Sequence, residues 1–152
     1  MNRLTLSVLL SVLSLSMVTC SSARYSGGKK QPEIRNVILM IGDGMGLATI
    51  YSAMTVSDHP LNIIRCKTIG LQKTNSANNY ITDSAAAGTA LATGNKTNNG
   101  VIGMDSKGIR VKSILEIAEE NGLATGLVST SSITHATPAS FIAHQSSRGS
   151  YE

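Results

Sequence analysis

The run Asn36-Val37-Ile38-Leu39-Met40-Ile41, closed by Gly42-Asp43-Gly44, decides how the rest of the chain is read. A continuous apolar run stopped by a glycine turn is the pattern of a strand buried on both faces, whereas a half-exposed strand would alternate apolar with polar. This strand ends on a carboxylate, Asp43. Downstream, helical and strand-like spacing alternate. Gly46 to Thr55 places Leu47, Ile50 and Met54 on one helix face, and Lys67 to Gln72 suits a second short strand. Ser84 opens the alanine-rich stretch Ala85 to Ala92, a helix with Asp83 or Ser84 at its N-cap. Val111 to Asn121 predicts an amphipathic helix with Ile114, Leu115 and Ala118 inward. Ala124 to Ser129 reads as a buried strand, and Ser140 to Gln145 as a short helix after Pro138. Between these lie polar loops, of which Thr93 to Gly108 is expected to wrap rather than pack. The alternation predicts an α/β fold with a parallel sheet covered by helices. Ligands gather at the carboxyl ends of strands in such sheets, where Asp43 and the Thr130 to Thr137 loop both fall.

Working outward, 152 residues with 41% hydrophobic and 14% charged content describe a globular chain, not a disordered one. A net charge of +4 spread over both halves, with 3% aromatics, excludes a nucleic-acid-binding surface built on clustered cations and stacking rings. Arg3 precedes the apolar run Leu4 to Val18, so residues 1–20 read as a signal peptide and residues 21–33 as a flexible linker. The run is shorter than the roughly 20 residues a spanning helix needs. Cys20 ends Met17-Val18-Thr19-Cys20, which is similar to a bacterial lipoprotein processing site except for Thr19 before the cysteine. Export follows on either reading, to the periplasm or to a lipid anchor at Cys20. With Cys20 removed or acylated, Cys66 has no disulfide partner and reads as a buried packing residue.

Several polar residues carry two readings each. Asp43 between glycines shapes a turn, or presents a hard oxygen donor to a metal ion. Ser84 is a helix cap, or a hydroxyl set among free N–H groups at the positive end of a helix dipole, where phosphate and alkoxide are both favoured. Asp83 is a cap of the same helix. Arg148 is a solvated surface charge or a planar guanidinium gripping two phosphoryl oxygens. His135 and Thr137 form an ordinary turn before Pro138, or point two donors the same way from an extended loop. His144 lies beside the apolar stretch Phe141 to Ala143 and reads as structural.

Three segments, Gly42-Asp43-Gly44-Met45-Gly46, Thr82 to Ala90 with Thr93-Gly94-Asn95-Lys96-Thr97, and Thr134-His135-Ala136-Thr137-Pro138 running on to Arg148, together resemble the alkaline phosphatase family. The resemblance covers Asn36 to Arg148. It implies a three-layer α/β/α sandwich with a mostly parallel central sheet, of which residues 34–152 are the N-terminal part of the catalytic domain. It implies a metal-dependent phosphomonoesterase that acts on phosphate monoesters, releases inorganic phosphate, uses two zinc ions and one magnesium ion, and assembles as a homodimer. Ser84 then takes the role of the nucleophile that becomes phosphoserine, Arg148 that of the phosphate clamp, and Asp83 that of its orienting partner. Asp43 takes the role of the carboxylate bridging zinc and magnesium. His135 and Thr137 fall at the third metal site, where a nitrogen donor favours zinc or cobalt over magnesium. The family draws most zinc ligands from Asp and His far downstream of the serine, and this sequence has no such cluster. It therefore reads as a fragment, inactive alone. The alternative is a catalytically silent exported module that keeps a phosphate pocket.

Overall fold

A computed structural model of the chain describes residues 34–150. The expected signal segment with Arg3 and Cys20, and the linker 21–33, lie outside the described residues. The chain divides after Met40. The described part of the first unit, residues 34–40, forms neither helix nor strand, and its apolar side chains face outward, with Val37 86% and Met40 88% exposed.

The second unit carries α1 (Leu47–Val56), a short 3-10 helix (Asn62–Arg65), α2 (Ser84–Thr93), α3 (Ile114–Glu120) and α4 (Ala136–Ala139). Its organising contact is α2 against α4 and the segment that follows. Small residues permit the close approach. Ala85, Ala86, Gly88, Thr89 and Ala92 form the buried face of α2, and Ala85 clusters with Ile102, Ala136 and Ala139. The polar atoms inside this contact are paired, as burial demands. The Thr89 hydroxyl donates to the Val101 carbonyl at 3.2 Å and accepts the Gly103 N–H at 2.9 Å. The Ser140 hydroxyl donates to the Ala136 carbonyl at 2.7 Å.

That pairing corrects the expectation for Thr93 to Gly108. The loop packs, with Thr97, Ile102 and Gly103 buried, because Thr89 and Gln145 satisfy its backbone. Ile102 and Gln145 exchange both N–H to carbonyl bonds at 2.9 Å each, forming an isolated antiparallel bridge. A second bridge pairs Met104 with Arg110.

The expected strands at 36–41, 67–72 and 124–129 are not strands among the described residues, and no sheet forms there. A strand exists only through ladder partners, and a continuously apolar one needs cover on both faces. Here Ile69 is 87% exposed, Leu71 97% and Val128 98%. α3 begins at Ile114 because Ser113 caps it: the Ser113 hydroxyl accepts the Glu116 N–H, and the Glu116 carboxylate accepts the Ser113 N–H, a capping box. Leu115 and Ala118 are half-buried as expected, but Ile114 is exposed. The helix expected from Ser140 instead occupies Ala136–Ala139, with Pro138 in its first turn, where the missing N–H costs nothing. Cys66 is exposed, not buried, because it follows a 3-10 helix that contributes no residue to the core. His144 is structural: its ring lies 3.0 Å from the Val111 carbonyl and 3.1 Å from Arg110 Nη2.

Candidate active site

Gly42 to Gly46 form a tight double turn, with the Met45 N–H on the Gly42 carbonyl at 3.1 Å and the Gly46 N–H on the Gly44 carbonyl at 3.0 Å. Gly44 takes φ +68°, a left-handed conformation that disfavours a side chain. The turn presents Asp43 to two hydroxyls from remote parts of the chain. Ser84 donates to Asp43 Oδ1 at 3.1 Å and Thr137 donates to Asp43 Oδ2 at 2.8 Å. The Thr137 hydrogen bond, with that of Ser84 and the charges of His135 and Arg148, holds the Asp43 carboxyl below its ordinary value against the opposing effect of burial.

Ser84 is the first residue of α2, and Asp83 is its N-cap. Asp83 Oδ1 accepts the Ala86 N–H at 2.9 Å. Its Oδ2 accepts both the Gly100 N–H at 3.0 Å and Arg148 Nη1 at 3.1 Å. Burial pushes the Asp83 carboxyl up, but the Ala86 and Gly100 N–H groups and the Arg148 guanidinium together bring it below its ordinary value. Asp83 thus caps the helix and pairs with Arg148 through the same carboxylate. His135 is the N-cap residue of α4, two positions before Thr137 and half-buried.

Asp43, Ser84 and Thr137 therefore form one hydrogen-bonded group, Asp83 and Arg148 another, and the peptide between Asp83 and Ser84 joins them. His135 is next to the first group along the chain, as the N-cap residue two positions before Thr137. The sequence reading missed Asn99 and Gly100, which hold Asp83 from the opposite side. Their signal was an Asn-Gly pair in a polar loop, which reads only as a turn.

The donor chemistry bears on metal binding. Two carboxylate oxygens flanked by two hydroxyls make a hard oxygen set suited to a magnesium-type cation. A catalytic zinc needs about three protein ligands, and among the described residues no group of three or more His, Cys, Asp or Glu converges. The fit is good for a share in an oxygen-rich site and partial for a zinc pair.

Residues 34–152 match the family model for alkaline phosphatase. The chain belongs to the alkaline phosphatase family. It is 50% identical over 134 residues to alkaline phosphatase 4 of Bacillus subtilis, a match covering 81% of this chain and 29% of that protein. To the alkaline phosphatase of Escherichia coli it is 39% identical over 127 residues, covering 77% of this chain and 27% of that protein. The solved alkaline phosphatase of the Antarctic bacterium TAB5 superposes with a TM-score of 0.70 at 49% identity, covering 72% of this chain and 32% of that one. A mutant of the TAB5 enzyme has Mg bound in its M3 site, and this chain matches it with the same TM-score at 48% identity. The chain spans about a third or less of the length of the relatives it matches.

Proposed function

We propose that this alkaline phosphatase segment is the N-terminal part of the catalytic domain of an exported phosphomonoesterase that works through a phosphoserine at Ser84. The carrying observation is the convergence on Asp43 of hydroxyls 41 and 94 residues away in sequence, one of them on the residue that opens a helix. The Ser84 hydroxyl gives up its proton to solvent and its oxygen attacks phosphorus as the ester oxygen leaves and takes up a proton to become the alcohol; water then cleaves the serine–phosphate bond, restoring the hydroxyl and releasing inorganic phosphate. The free N–H groups and dipole of α2 favour the phosphoryl group at Ser84. Arg148, oriented by Asp83, offers its guanidinium to the phosphoryl oxygens and offsets their charge in the transition state. Asp43, Thr137 and His135, with the Ser84 oxygen, would contribute to holding two zinc ions and one magnesium ion. Those metals, when bound, lower the pKa of the nucleophile and neutralise phosphate charge. The remaining zinc ligands, and the strands that would complete a three-layer α/β/α sandwich over residues 34–152, come from the rest of the domain on this reading. Export rests on Arg3 and the apolar run after it, lipid anchoring on Cys20, and homodimer formation on the family alone.

The test is turnover of an aryl phosphate at alkaline pH with zinc and magnesium. The complete protein carrying this segment is expected to turn over and the Ser84→Ala variant to be inactive, while the 152-residue chain alone, given the same metals, shows no turnover. Activity in the complete protein that survives Ser84→Ala removes the assigned nucleophile. Turnover by the isolated chain that vanishes with Ser84→Ala would show that the segment suffices.

A further inference from the structure

We propose that Asn99 and Gly100 form a positioning strap that fixes Arg148 relative to the N-terminus of α2 and thereby sets the affinity for a phosphoryl group. The inference rests on the phosphatase reading and adds residues that reading does not use. Asn99 Oδ1 accepts the Asp83 N–H at 3.1 Å, its Nδ2 donates to the Ile81 carbonyl at 2.9 Å, and its own N–H donates to Asn78 Oδ1 at 3.0 Å. One side chain therefore clamps both ends of the turn that leads into Ser84. The next residue closes a ring of contacts. The Gly100 N–H donates to Asp83 Oδ2, the Gly100 carbonyl accepts the Arg148 N–H at 2.6 Å, and the Arg148 guanidinium returns to Asp83 Oδ2. Backbone and side chain of Arg148 are thus referenced to the same two residues. The paired Ile102–Gln145 bonds and the Thr89 hydroxyl on Gly103 continue the strap into the core and hold its register.

Gly100 has φ +85°, and a Cβ built there meets nothing within 4 Å. A side chain at this position strains the backbone without a steric clash, so Gly100→Ala perturbs the strap alone. Asn99→Ala perturbs it by another route, leaving the Asp83 N–H and the Ile81 carbonyl without their partner.

The experiment titrates the complete protein carrying this segment, loaded with zinc and magnesium and in the Ser84→Ala background, with inorganic phosphate by calorimetry, and follows amide hydrogen exchange and thermal unfolding on the same samples. Asn99→Ala and Gly100→Ala are each expected to weaken phosphate binding about tenfold, the effect of losing roughly one hydrogen bond's worth of orientation. Each is also expected to lose exchange protection at the Gly100 and Arg148 amides. Ser113→Ala serves as the control: it removes the cap of α3 and the bond to the Phe141 carbonyl, neither of which touches Asp83, Asn99, Gly100 or Arg148, and should lower the unfolding temperature without changing phosphate affinity. An unchanged phosphate Kd in both strap variants overturns the proposal, as does weakening no greater than in the control. If no phosphate binds to the complete, metal-loaded Ser84→Ala parent, the phosphatase reading fails. The strap then stands or falls on amide protection, which must drop in both variants.

Discussion

Asp83→Ala removes three accepted hydrogen bonds at one residue, and the structure sets what that costs. The Ala86 N–H at 2.9 Å loses its N-cap acceptor, an effect of about 1 kcal/mol. The half-buried Gly100 N–H loses its partner at 3.0 Å, about 1 kcal/mol more. The Arg148 pair is partly solvated, with side chains 36% and 25% exposed, so its loss adds about 0.5 kcal/mol. The variant is expected to be less stable by roughly 2 to 3 kcal/mol in urea unfolding at neutral pH. Asp83→Asn separates the parts. It keeps an acceptor for the cap but replaces the charged oxygen that faces two donors, so it should lose about half as much.

The same pair of variants tests the pH dependence. Because the Asp83 carboxyl in the folded chain lies below its ordinary 3.8, its stabilisation is fully present above that value and disappears as pH falls through the folded pKa. Acid unfolding of the parent chain should therefore include a contribution that Asp83→Asn lacks. A loss below about 1 kcal/mol for Asp83→Ala, or an acid limb identical in the parent and Asp83→Asn chains, would refute the assignment of Asp83 as the joint between helix cap and clamp.

Two further outcomes test the packing that carries the site. At Gly88 an added Cβ would stand 2.8 Å from Ser140 Oγ, 3.1 Å from Ser140 Cβ and 3.4 Å from Thr137 Cα. Gly88→Ala should then destabilise by about 1 kcal/mol in urea unfolding despite the better helix propensity of alanine, because overpacking against the buried Ser140 side chain, held by its bond to the Ala136 carbonyl, outweighs it; a stabilised variant would show that α2 and α4 are not in firm contact. Ser113→Ala loses the Glu116 N–H cap at 3.2 Å and the buried donor to the Phe141 carbonyl at 2.7 Å. A cost of about 2 kcal/mol is expected in the same assay, and a cost below about 0.5 kcal/mol would remove the capping box as the reason α3 starts where it does.

What the sequence reveals of the site depends on how local the cause is. The cap at Asp83 and the helix from Ser84 are legible because capping and helix propensity act within a few residues. Asp43 is legible as a turn carboxylate for the same reason. That it meets Ser84 and Thr137 is a tertiary fact, and only the joint occurrence of the three segments pointed to it. Arg148 read alone is a surface charge; its place on Asp83 follows from the strap through Gly100, which no periodicity records. Asn99 was hidden because an Asn-Gly pair looks the same whether its side chain faces water or clamps a neighbouring turn. Ile102 was missed because a Gly- and Asn-rich loop with a few scattered apolar residues gives no sign of which one enters the core.

The strands failed for a different reason, and the failure is informative. Val37, Ile38 and Met40, like Ile69, Leu71 and Val128, have the composition of buried positions yet stand largely exposed among the described residues. Composition records the environment in which a segment is buried, and a buried strand needs neighbours on both edges and both faces. The polar group around Asp43 needs no such cover, since its donors lie in α2 and α4, which pack on each other through Ala85, Ala136 and Ala139. A short segment of the domain can thus carry the Asp43–Ser84–Thr137 group and the Asp83–Arg148 pair while leaving its hydrophobic runs unpaired. On the proposed reading, supplying the remaining two-thirds of the domain as a separate chain should bury those runs and complete the metal ligands together. Loss of dye binding to exposed apolar surface and gain of Ser84-dependent turnover should then appear at the same concentration of added partner. Turnover appearing while the apolar surface stayed exposed would show that strand pairing and completion of the site are independent.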